Sequence, residues 1–66
     1  MNFEEAKILA RQGIKMTHVN FSPYEWIVMK GNVIIFEDGV KIFEKEWLGN
    51  KEWVLTGWSQ FKQQTK

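Results

Sequence analysis

Cysteine is absent from this chain, so no disulfide and no thiolate metal site can staple it. A single histidine, His18, makes a zinc site built from protein ligands improbable. No run of apolar residues is long enough to span a bilayer, and the opening MNFEEAK is acidic where a secretory signal would be basic. The expectation is a protein of the cytoplasm. Charge of one sign is lacking too. Nine basic residues against eight acidic ones leave a net charge of +1, too balanced for a general polyanion binder, so a nucleic-acid partner is not expected.

The chain is rich in aromatics, with four Trp, five Phe and one Tyr in 66 residues. With 44% hydrophobic and 26% charged residues it reads as one globular domain over 1–66. Below about 70–80 residues a single core supplies only about 3–5 kcal/mol, and without disulfides or metal, self-association becomes the leading source of the rest.

The segment NFEEAKILARQG predicts a short helix. Asn2 can cap it, Glu5 completes a capping box, and Gly13 stops it. Phe3, Ala6, Leu9 and Ala10 share its apolar face. IKMTHVNF then reads as a strand, with Ile14, Met16 and His18 on one side and Lys15, Thr17 and Val19 on the other, ended by Ser22-Pro23.

Residues 26–43, WIVMKGNVIIFEDGVKIF, read as a three-stranded meander. Gly31-Asn32 fits a two-residue turn with glycine first, and Asp38-Gly39 a type I′ turn. Those turns pair Lys30 with Val33, Val28 with Ile35 and Glu37 with Val40. Alternation then puts Trp26, Val28, Val33, Ile35, Val40 and Ile42 on one face. Ile27, Met29, Ile34, Phe36 and Phe43 fall on the other, with Lys41 its one charge. A short helix covers one such face and not both, so the second is expected to bury against another copy of the chain. After a turn at Leu48-Gly49-Asn50-Lys51, a last strand is expected from Glu52 to Thr56, broken by Gly57. The polar end from Gln60, residues 62–66 above all, should fray. The predicted class is α+β, a short N-terminal helix on an antiparallel meander in a homo-oligomer.

No catalytic constellation stands out. His18 has no Ser or Thr elbow beside it, and a strand histidine in an ordinary hydrogen bond is the plainer reading. Glu37, Asp38, Glu44, Glu46 and Glu52 mostly flank turns, where carboxylates serve solvation, and no glycine loop is built to cradle phosphate. The chain does not read as an enzyme, and no cofactor is expected. Trp47, Trp53 and Trp58, interleaved with Lys45, Lys51 and Lys62, suit stacking on a base beside a phosphate, although a core or subunit interface is the plainer reading of each.

The motifs FEEAKILARQG (3–13), IKMTHVNF (14–21), EWIVM (25–29) and EWVLT (52–56) resemble the phage Thoeris anti-defence family of the second type. Phe21 stands where that family usually has tryptophan, and Thr17-His18 where it has a basic pair. The resemblance implies a homo-oligomeric sponge of the host cytoplasm. It would sequester a nucleotide immune signal, such as a cyclic ADP-ribose isomer or a cyclic oligonucleotide, without cleaving it. By that resemblance Phe21, His18, Asn20 and Trp53 are candidate pocket residues; the residues themselves add Lys15 and Trp26. The alternative is a small viral inhibitor or adaptor that binds a host defence protein through exposed aromatics.

Overall fold

In the computed structural model, which describes residues 1–62, one helix packs on a five-stranded antiparallel sheet. Helix α1 (Phe3–Arg11) begins where the sequence says it should. Asn2 accepts from the Glu5 amide, and the Glu5 carboxylate accepts from the Asn2 amide, at 2.8 and 3.1 Å. It ends with paired bonds from the Gly13 amide to the Ala10 carbonyl and from the Ile14 amide to the Leu9 carbonyl. That closure needs the left-handed backbone of Gly13, at φ +88°. Ala6 and Ala10 are fully buried, and their small side chains let the helix lie close to the sheet.

The strands are β1 (Met16–His18), β2 (Ile27–Lys30), β3 (Val33–Phe36), β4 (Lys41–Phe43) and β5 (Trp58–Gln60), in the order β4-β3-β2-β1-β5. The β2–β3 register is the expected one, with Lys30 opposite Val33 and Val28 opposite Ile35.

The next hairpin differs by one residue. Ile34 lies opposite Ile42 and Ile35 opposite Lys41. Phe36 and Val40 close the loop, the Phe36 amide donating to the Val40 carbonyl, so Glu37, Asp38 and Gly39 form a three-residue loop rather than a type I′ turn. Asp38 keeps a negative φ, which a type I′ turn forbids, and Gly39 alone takes the left-handed position, at φ +87°. A one-residue slip exchanges faces. Ile42 therefore joins the core side, and Lys41 and Phe43 go to the other face, reversing the expected placement; Phe43 is 58% exposed.

The tail also departs from expectation. Glu44–Leu48 form a short helix, α2, whose Trp47 and Leu48 pack on the core. The expected strand Glu52–Thr56 is instead a 3₁₀ turn, Glu52–Leu55, with Val54 buried. Its backbone finds partners in a side chain rather than a neighbouring strand. Gly57, far from ending the last strand, introduces it: β5 pairs with β1, His18 opposite Trp58 and Met16 opposite Gln60. The ladder continues where fraying was expected, with the Phe61 amide donating to the Lys15 carbonyl at 2.9 Å. Lys62 is exposed, and the rest of the expected frayed end, 63–66, lies outside the described residues.

The buried core is Phe3, Ala6, Ala10, Met16, Ile27, Met29, Ile34, Val54 and Trp58, with His18 the one buried polar residue among those described. Both helices and the 3₁₀ turn contribute to this one side of the sheet. The opposite face carries Val28, Val33 and Ile35, half-buried. Nothing in the chain's described residues is layered on it.

Candidate functional site

Two features of the fold could carry function: an aromatic cluster around His18 and a cleft beside it. The cluster sets what His18 can do. The Asn20 backbone amide donates to His18 Nδ1 at 2.9 Å. A ring nitrogen that accepts carries no proton, so the proton is on Nε2, which points at the Trp53 and Thr56 carbonyls at 2.9 and 2.6 Å. The ring thereby clasps the 3₁₀ turn and the start of β5 to β1. Trp53 and Trp58 meet it edge-on at 4.8 and 5.0 Å between centroids. Both nitrogens are engaged by backbone, which leaves neither to act as a base.

The tryptophans interleaved with lysines pack chiefly on each other. Trp47 lies 5.9 Å from Trp53 and 6.3 Å from Trp58. The Trp58 indole N–H donates to the Val54 carbonyl at 2.6 Å and the ring is buried. Lys51 rests on the Trp47 ring at 5.6 Å. These rings are core and core rim, as the plainer of the two sequence readings has it.

The cleft, of about 850 Å³, lies where β1 and β5 meet the 19–26 loop. Four of the six sequence-predicted site residues line it: Lys15, His18, Phe21 and Trp26. Asn20 and Trp53 do not; the first reaches His18 through its backbone and the second through its ring. Thr17, Ser22, Pro23, Tyr24, Phe61 and Lys62 complete the lining. Phe61 could have been found by its placement two residues after Ser59 on a strand beside β1, had β5 been located; no local motif marks it.

The walls are held in place. Ser22 and Glu25 exchange bonds, the Ser22 amide to the Glu25 carboxylate at 2.7 Å and the Glu25 amide to the Ser22 carbonyl at 3.1 Å. Thr17 Oγ1 donates to the Glu25 carbonyl at 2.9 Å. The Lys15 ammonium sits 4.5 Å from the centroid of the Trp26 ring, and Phe61 stands 6.4 Å from the same ring. No carboxylate side chain lines the cleft among the described residues. Lys15 lies over the Trp26 ring and Lys62 also lines the cleft, a combination of cation and aromatic plane that suits an anion with a flat ring system.

No group of three or more potential metal-binding side chains occurs among the described residues, and none of their helices is long and apolar enough to cross a membrane. Comparison with known proteins matches the chain to no family model, no curated protein and no solved structure.

Proposed function

We propose that the protein binds an anionic nucleotide-type small molecule in the cleft and holds it without changing it. The convergence of Lys15 and Lys62 with Trp26 and Phe61 in one cleft that no carboxylate side chain lines among the described residues carries this reading. A base stacks on Trp26, and the Lys15 ammonium moves from the ring to a phosphate, exchanging a cation–π contact for a charge-assisted hydrogen bond. Thr17 and Ser22 offer hydroxyls to sugar or phosphate oxygens. A cleft of about 850 Å³ falls in the range of small-molecule sites. His18 serves as wall and clasp.

The role that accords with the family resemblance is a phage sponge for a nucleotide immune signal. Such a protein works stoichiometrically and needs a dissociation constant below the signal concentration; nanomolar binding is about −12 kcal/mol. Calorimetry with cyclic ADP-ribose isomers and cyclic di- and trinucleotides tests it, with the recovered ligand checked for integrity. Binding of an intact ligand supports the sponge, whereas a cleaved one or silence across the panel removes it.

A second reading, inhibition of a host defence protein, draws on the 19–26 loop. Val19 and Tyr24 on it are 79% and 80% exposed, more than any other large apolar residue described.

A further inference from the structure

The net charge of +1 averages two very different surfaces. The eight carboxylate side chains lie on α1 (Glu4, Glu5), α2 (Glu44, Glu46), the 3₁₀ turn (Glu52) and loops (Glu25, Glu37, Asp38); none is in a strand. On the open face of the sheet, alternation and register place Lys15 beside β1, Lys30 at the end of β2 and Lys41 in β4. Trp26, Phe61 and the largely exposed Phe43 share that face. It therefore offers three cations and three aromatic rings around an apolar strip, and among the described residues none of these lysines has an acidic partner.

We propose that this open face binds single-stranded nucleic acid. A second copy is a poor match, because a face-to-face pair would bring lysines toward lysines with no carboxylate to meet them. A strand of nucleic acid supplies what is missing: phosphates for the lysines and unpaired bases for the rings, which stack any base by its flat face. A duplex hides those base faces, so the single strand is preferred. Five strands about 4.8 Å apart make the face about 19 Å wide, room for about four nucleotides, the lower end of known single-strand sites. Lys15, Trp26 and Phe61 also belong to the cleft, whereas Lys30, Lys41 and Phe43 do not. The two readings share half of these residues, and Lys30, Lys41 and Phe43 are the ones that distinguish them.

Fluorescence anisotropy with a labelled oligothymidylate of about a dozen nucleotides, and a duplex of equal length, is the test. Three neutralised phosphates give a slope of log affinity against log salt of about −2. The double variant Lys30→Glu/Lys41→Glu should weaken binding by about tenfold or more, and Phe43→Ala by about fivefold or more. All three residues are exposed, and circular dichroism checks that the variants fold. Calorimetry of the double variant with the cyclic nucleotides should leave any cleft binding unchanged. If only the oligonucleotide binds the native protein, the cleft reading falls and this one stands. No binding at low salt, equal affinity for duplex, or an unaltered double variant would overturn it. So would sedimentation showing a dimer in the native protein that the double variant dissolves.

Discussion

A Cβ built on Gly57 would stand 2.9 Å from His18 Nε2, closer than side-chain carbons are found to approach. Gly57 also holds φ +93°, a left-handed conformation that resists side chains. Close approach and backbone both forbid replacement, because the glycine lets the chain pass over the imidazole as it enters β5. Gly57→Ala should destabilise the fold by about 1–3 kcal/mol, read from urea unfolding. An unchanged midpoint would mean that His18 does not clasp the turn.

His18→Phe keeps a ring in the cluster and removes both nitrogens. The Asn20 amide and the Trp53 and Thr56 carbonyls would lose their partner. At about 1–3 kcal/mol for a buried group left unsatisfied, the expected loss is about 2 kcal/mol or more. Near-ultraviolet circular dichroism should also change, as the Trp53 and Trp58 rings lose the imidazole edge.

The β3–β4 register makes opposite claims about adjacent residues. Ile42→Asp should cost about 2–4 kcal/mol, since it puts a charge on the core side. Phe43→Asp, on the exposed face, should stay within about 1 kcal/mol. Thermal melts that ranked the two the other way would restore a two-residue turn at Asp38-Gly39.

Lys7 ties the first helix to the second, donating to Glu44 at 3.0 Å and to Glu4 at 3.1 Å. Burial alone pulls its pKa down; the bonds to Glu44 and Glu4 more than offset this and raise it above the ordinary lysine value of 10.5. A folded-state pKa above the unfolded one contributes stability that is fully present below pH 10.5 and lost as pH rises through the folded value. Lys7→Met should therefore be less stable than the native protein at neutral pH. The gap should narrow above pH 10.5 in paired unfolding curves.

In the cleft, Trp26→Ala should weaken nucleotide binding by about 1–3 kcal/mol, and Lys15→Gln should weaken it while flattening its salt dependence. Phe21→Ala is a different experiment. Its ring lies 5.5 Å from Trp58 and 6.4 Å from both Trp47 and Trp53, so its removal should lower the melting temperature as well as affect binding. A Trp26→Ala protein that folds and binds at native strength would move the ligand out of this cleft.

Features fixed by near neighbours were legible in the sequence. The Asn2–Glu5 capping box, the Gly13 stop and the Gly31-Asn32 hairpin each depend on a few consecutive residues, and each stands as expected. That the helix covers only one side of the meander was legible too, from period-2 alternation, although the β4 residues of the two sides are exchanged. Lys15, His18, Phe21 and Trp26, four of the candidates named from the sequence, do meet at one cleft, because they flank one loop.

Tertiary structure alone decided the rest. Glu37-Asp38-Gly39 can serve a two- or a three-residue loop, and the choice rests on whether Ile42 or Phe43 packs against the core cluster, a contact that no local pattern encodes. The segment Glu52–Leu55 has the alternation of a strand, and Val54 does point inward. Yet the edge of β1 was taken by Trp58–Gln60, and carbonyls of the turn were met by the His18 imidazole at Trp53 and the Trp58 indole at Val54. Elements of three to five residues have too little local free energy to fix their own conformation, so long-range partners choose it. The charge balance is the same lesson on the surface: the sequence determines a sum of +1, and only the fold sends the acids to helices and loops and leaves Lys15, Lys30 and Lys41 together on one bare face of the sheet.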